Sequence, residues 1–190
     1  MLILASQSPR RRDLLLREGV NFCIVTSEAE EVNDAALPPE ELCAQNAAAK
    51  AEAVAAMYPQ HTVVGADTLV FLDGAPLGKP VDMDDARSML RRLQGRTHSV
   101  CTAVAVILPG GERRDFAEIS HVTFREMDAA AIERYLSEVY VLDKAGAYAM
   151  QEKSELIVSR VEGDTDNVIG LPVTRLLRTL TGAGVRADGC

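Results

Sequence analysis

What this chain lacks narrows it first. Its four cysteines, Cys23, Cys43, Cys101 and Cys190, show neither paired spacing nor a Cys/His cluster, which argues against a zinc site and against a disulfide framework. Cys23 and Cys101 fall in apolar strand-like runs and read as small core residues. No apolar run approaches the roughly 20 residues of a membrane-spanning helix. The N-terminus lacks the pattern of a signal peptide, because its first charge is Arg10, after a short strand pattern, and an amphipathic helix follows. A cytoplasmic protein without a membrane partner is the expectation. There is no P-loop lysine motif, no dinucleotide glycine fingerprint and no Gly-x-Ser-x-Gly elbow, and Cys101 has no basic partner. These absences set aside the commonest nucleotide-binding loops and nucleophilic hydrolase chemistry. The net charge of −8 disfavours stable nucleic-acid binding, which depends on many cationic phosphate contacts, but allows a local basic pocket for a small anion. No repeat or low-complexity linker divides the chain, and 47% of it is apolar. One folded unit over residues 1–190 is expected, with a frayed tail at 182–190.

Strand and helix patterns alternate along the chain. Leu2 to Ala5 and Phe22 to Thr26 read as strands, separated by a helix that runs to Glu18. Pro38 and Pro39 open an alanine-rich helix through Met57, and Thr62 to Leu72 is a strong β run with an Asp73-Gly74 hairpin turn. A helix from Asp82 to Leu93 follows, then two apolar strands, Val100 to Leu108 and Phe116 to Phe124, joined across Gly110-Gly111. Asp128 caps a helix to about Leu136, Glu155 to Val161 reads as a strand, and Pro172 opens the last helix. The class is mixed α/β with several hairpins rather than a purely parallel doubly wound sheet.

The most informative segment is Ser6-Gln7-Ser8-Pro9-Arg10-Arg11-Arg12, where a strand ends and a helix begins. Ser8 is a favoured N-cap and Pro9 suits the first helical position. A helix N-terminus carries about half a positive charge, so arginines there are unfavourable unless an anion joins them. Free N–H groups, serine hydroxyls and guanidinium forks together suit a phosphate. The helix from Asp82 is the internal control: acids stand at its start and bases at its end, as the dipole prefers.

Asp67 interrupts a run, Val63 to Val70, otherwise suited to a buried strand. A buried carboxylate requires a cation, hydrogen-bond donors or water. It reads either as metal or general-base chemistry, or as the edge residue of a bulge paired with a nearby lysine. Gly65 and Ala66 leave room for something to approach the backbone. Glu30 and Glu31 are a surface acidic pair, either of which could join Asp67 in holding a divalent cation. Lys50, in the alanine-rich helix, is uninformative by itself, whereas Lys79 is fixed between Gly78 and Pro80 in a tight loop. Gln151 offers an amide able to read a base edge. His61, His98 and His121 form no metal-like cluster, and the last two fall in strand regions as structural residues.

These segments, with Gly65-Ala66-Asp67-Thr68, Gly78-Lys79-Pro80, Asp143-Lys144-Ala145-Gly146-Ala147-Tyr148 and Ile169-Gly170-Leu171-Pro172, stand in the order seen in the Maf family of nucleoside triphosphate pyrophosphatases, which the chain resembles from Leu2 to its last helix. The resemblance implies an inosine triphosphatase-like α/β fold, a long twisted mixed sheet with a cleft between two lobes. It implies metal-dependent hydrolysis between the α- and β-phosphates, with Mg²⁺ or Mn²⁺ as cofactor, and a homodimer. By position, Asp67 is similar to the family's general base and metal partner, and Glu31 to its acidic metal-site residue. Ser6, Arg11, Lys50 and Lys79 resemble its triphosphate-contacting set. Arg10, Thr68 and Gln151 match the Arg, Thr and Gln of the branch acting on dTTP and UTP, whereas the 7-methyl-GTP branch has an aromatic residue, Gln and Glu. The stretch Glu152-Lys153-Ser154-Glu155 departs from that branch, which carries glycine after the glutamine. The competing readings are a family member of broader or 7-methyl-GTP preference, and a non-hydrolytic nucleotide-binding regulator of cell division.

Overall fold

The computed structural model of the chain describes residues 1–32 and 37–185; the expected tail from 186 onward lies outside them. A seven-stranded mixed sheet organises the chain. Its strands are β1 (Leu2–Leu4), β2 (Phe22–Ile24), β3 (Thr62–Leu72), β4 (Ala75–Leu77), β5 (Thr97–Ile107), β6 (Arg113–Phe124) and β7 (Val158–Glu162). Their order is β2-β1-β3-β5-β6-β7, with β4 folded back on β3. β1 is parallel to β2 and β3, and every other pair is antiparallel.

The helices are α1 (Pro9–Arg17), α2 (Pro39–Met57), α3 (Met83–Leu93), α4 (Ala129–Glu138), α5 (Ser154–Ile157), α6 (Thr165–Ile169) and α7 (Val173–Gly182). Ser8, Asp82 and Asp128 cap α1, α3 and α4 by accepting from the backbone N–H three residues on. The pleat sorts the core by alternation. Leu2, Leu4, Val64, Ala66, Val104 and Val106 pack against α1 and α7 through Leu14, Leu15, Leu176 and Leu180. Ile3, Val63, Phe71, Cys101, Ala103 and Ala105 face the other way, onto Cys43, Ala47, Ala51 and Val54 of α2. At the far ends of the long strands, Val70, Leu72, Val100, Val122 and Phe124 form a further cluster with α3 and α4.

Two expectations shift. Ser154–Ile157 is a helical turn, so the last strand begins at Val158 rather than Glu155. Lys153, in the left-handed region at φ 53°, redirects the chain there, and Ile157 drops into the core. The central hairpin is also longer than its apolar stretches, starting at Thr97 and Arg113. Ladder bonds need no apolar side chain, and polar pairs occupy these positions: Thr97 Oγ1 lies 2.8 Å from Thr123 Oγ1, and Ser99 Oγ lies 3.1 Å from His121 Nδ1.

Candidate active site

The three arginines at the start of α1 go three ways. Arg12 pairs with its exposed neighbour Asp13 at 2.8 Å. Arg10 reaches across to Asp143 at 3.2 Å. Arg11 turns inward at the carboxyl end of β1, where Nε donates to Gly170 O at 2.8 Å, Nη1 to Ser6 Oγ at 3.2 Å and Nη2 to Thr68 Oγ1 at 2.9 Å. Thr68 is itself held 2.9 Å from Thr102 Oγ1, which donates to Asn167 O. Every acceptor of Arg11 is thus a neutral oxygen. Burial pulls its pKa down; the charges of Asp67 and Glu31 oppose that, and Arg10 adds to it. A half-buried guanidinium without a bonded carboxylate among the described residues is a receptor for an anion.

Asp67 and Thr68 are consecutive on β3, so they project to opposite faces of the sheet. Thr68 meets Arg11 on the α1 side; Asp67 meets α2. The helix approaches β3 closely because residue 65 is glycine: a Cβ there would stand 2.4 Å from Ala47 O and 2.7 Å from Ala51 N. What approaches at Gly65 is therefore helix α2. One turn apart on that helix face, Asn46 and Lys50 reach Asp67. Lys50 Nζ lies 2.6 Å from Asp67 Oδ1 and 2.6 Å from Glu31 Oε1. Asn46 accepts from Val32 N at 2.7 Å and donates to Val32 O at 3.1 Å, and it approaches Asp67 Oδ2 at 3.4 Å. It thereby ties the acidic segment to the helix. The hydrogen bond from Lys50 holds the Glu31 carboxyl below its ordinary range, and the charges of Lys50, Lys79 and Arg11 act in the same direction.

Asp67 is buried. It does pair with a lysine, but from a regular ladder position opposite Ala103; the sheet's irregularity lies at Thr123/Phe124. The bulge reading falls. Two carboxylates, Glu31 and Asp67, converge on one cationic point, a donor set of hard oxygens that fits Mg²⁺ or Mn²⁺. No group of three His, Cys, Asp or Glu side chains occurs among the described residues, which leaves room at such a cation for substrate or water oxygens.

Lys79 is exposed and forms no hydrogen bond or ion pair among the described residues, but it lies near enough to Glu31 to act on its carboxyl. Its loop is tied by Gly146 N to Gly78 O at 3.0 Å. Gln151 is exposed and forms no hydrogen bond to the other candidates among the described residues; a chain of ion pairs passes beside it, from Arg10 to Asp143, to the buried Lys144 at 2.9 Å, to Glu152 at 3.6 Å. Asn46 and Thr102 were not singled out from sequence, and Asp143 was noted only as part of a motif, without a role. Asn46 had one signal, a poor helix former inside an alanine-rich helix four residues before Lys50.

The segment around Lys144 is anchored by Tyr148, whose hydroxyl lies 2.9 Å from His98 Nε2 in a buried cluster with Phe124. Burial pushes His98 down to about 4 from 6.5, and its Nδ1 has no partner among the described residues. With the folded pKa depressed, the unfolded chain binds the proton first as pH falls. The His98 contribution is therefore complete above pH 6.5, is reduced by about 2 kcal/mol at pH 5, and is lost through pH 4. His98→Gln is expected to cost stability at pH 7 and to lose less of it on acidification. Urea unfolding at pH 7 and pH 5 measures this; parallel losses in both proteins would contradict it.

The family model described as Maf-like protein matches residues 1–183. The chain belongs to the Maf family. Among its relatives, a dTTP/UTP pyrophosphatase of Akkermansia muciniphila is 58% identical over 186 residues, covering 98% of each chain. A dTTP/UTP pyrophosphatase of Bacillus velezensis is 43% identical, again with 98% of each chain covered. In fold, this Maf protein is similar to the Staphylococcus aureus Ham1 protein, with a TM-score of 0.54 at 14% identity over 96% of this chain and 98% of that one. The architecture is of the expected inosine triphosphatase-like α/β type. No helix among the described residues of this Maf chain is long and apolar enough to cross a membrane.

Proposed function

We propose that this Maf protein is a nucleoside triphosphate pyrophosphatase that hydrolyses dTTP and UTP to the nucleoside monophosphate and pyrophosphate. The observation that carries the reading is the division of charge at the end of β1. Arg11 is bound only to neutral oxygens on one side, and on the other the buried Asp67 and the exposed Glu31 share a single cation. The near full-length similarity to dTTP/UTP pyrophosphatases supports it.

A triphosphate carries about four negative charges, so its hydrolysis is mainly a matter of positioning and charge stabilisation. Arg11, Lys50 and Lys79 supply the cations, with Ser6 at the Arg11 guanidinium. Glu31 and Asp67 would hold a divalent cation, which when bound neutralises phosphate oxygens and polarises the reacting phosphoryl group. Asp67 orients a water toward the α-phosphorus and takes its proton as the O–P bond forms. The α–β bridge bond breaks, and pyrophosphate leaves with its charge met by Arg11 and Lys79. The expected oligomer is a homodimer and the expected compartment the cytoplasm. Phosphorus NMR of a dTTP digest with Mg²⁺ tests the bond cleaved: dTMP and pyrophosphate are expected, and dTDP with orthophosphate would overturn the reading.

Base choice is assigned to Arg10 and Gln151, with Thr68 beneath Arg11. Arg10→Ala and Gln151→Ala are each expected to change the ranking of dTTP, UTP, CTP and GTP in kcat/KM, by roughly tenfold for the preferred bases. A uniform loss across all four would make them phosphate contacts instead.

A further inference from the structure

The ammonium of Lys50 stands where a cation held by Glu31 and Asp67 would stand. Its Nζ is 2.6 Å from one oxygen of each carboxylate, its side chain is 15% exposed, and Asp67 is less exposed still. The buried Asp67 and the more exposed Glu31, left without a cation between them, would repel each other, so in the free protein the lysine neutralises them. The backbone that carries Lys50 has little freedom to withdraw, because α2 is seated on β3 at Gly65 with no room for even a methyl group. The side chain can leave the pair only by swinging its own flexible four-carbon stem.

We propose that Lys50 is an exchangeable stand-in for the divalent cation: it occupies the carboxylate pair until nucleotide arrives, then gives up Glu31 and Asp67 to the metal and moves to a phosphate. The inference rests on the metal reading above and adds to it an order of events. Metal alone must expel an ammonium and gains two carboxylates, with no third His, Cys, Asp or Glu beside them among the described residues. Metal with nucleotide gains phosphate oxygens, while the displaced ammonium gains an anionic partner. Metal and triphosphate therefore bind synergistically, and by linkage each raises the affinity of the other by the same factor.

The test is Mn²⁺ binding to the full chain, followed by electron paramagnetic resonance and calorimetry, with and without a non-hydrolysable α,β-imido analogue of dTTP. Wild type is expected to bind Mn²⁺ weakly alone and at least about tenfold more tightly with the analogue. Lys50→Met is expected to bind Mn²⁺ alone about tenfold more tightly than wild type, with a smaller gain from the analogue. Lys50→Arg, which keeps the charge, is expected to stay weak. Thermal unfolding checks that each variant folds, and Lys50→Gln replaces the methionine variant if that one does not. Folded Lys50→Met with metal affinity equal to or below wild type would overturn the exchange and leave the metal reading standing. Absence of Mn²⁺ binding to wild type even with the analogue would overturn both.

Discussion

Asp67→Asn is expected to lower pyrophosphate release by about 1,000-fold or more while nucleotide still binds. Asparagine matches aspartate in shape, so α2 keeps its seat and Asn46 keeps both bonds to Val32. Lys50 keeps Glu31 as its partner and is not left as an isolated buried charge. Two things are lost: the carboxylate that accepts the proton of water, and one of the two anionic ligands for metal. The Arg11 part of the triphosphate site is untouched, because Arg11 is bound to Gly170, Ser6 and Thr68 and not to Asp67. Removing a negative charge from the site also reduces repulsion of the phosphates. Steady-state kinetics gives the loss of kcat, and calorimetry with the imido analogue gives the binding. Near-normal turnover would remove Asp67 from the chemistry; loss of binding equal to the loss of rate would make it a structural residue.

Gly65→Ala is expected to be the most damaging single-methyl change in the fold. The added carbon would lie 2.4 Å from Ala47 O, 2.7 Å from Ala51 N and 2.9 Å from Ala51 Cβ, and two of these three atoms are backbone. No rotamer relieves that, so α2 must lift from β3. Overpacking of this kind costs about 3 kcal/mol, which lowers the melting temperature by roughly 6–12 °C in a chain of this size. The protein that remains folded should also lose activity, since the same helix carries Asn46 and Lys50 to Asp67. Gly74 offers a contrasting control: a side chain there would meet nothing within 4 Å, and only its positive φ of 78° resists substitution. An unchanged melting temperature in Gly65→Ala would show that α2 does not sit on β3 as described.

What could be read from the sequence was what local chemistry dictates. Ser8 and Asp128 were legible as caps because a cap is satisfied within a few residues, and Asp82, read as the first residue of its helix, proves to be the cap of α3. Asp67 was legible because a charge in an apolar strand contradicts its surroundings. The division among Arg10, Arg11 and Arg12 was legible only in part. Their misfit with the helix dipole is local, but the acceptors of Arg11 lie as far away as Gly170 and the partner of Arg10 is Asp143. Gly65 announced a close approach without saying by what, since helix α2 comes from elsewhere in the chain. Lys50 and Asn46 were silent for the same reason: on an alanine-rich helix every face looks alike until the sheet selects one. The short α5 and α6 escaped because four or five residues hold too little periodicity to read, whereas β4 returns along β3 from the hairpin turn legible at Asp73-Gly74.

The most direct test of the account is pyrophosphate release from a panel of dTTP, UTP, CTP, GTP, ATP and 7-methyl-GTP, each with Mg²⁺ and with Mn²⁺. Metal-dependent release is expected, with dTTP and UTP foremost in kcat/KM, and that release is expected to be lost in Asp67→Asn. Nucleotide binding without pyrophosphate from any member of the panel would contradict it and leave a non-hydrolytic nucleotide-binding protein in its place.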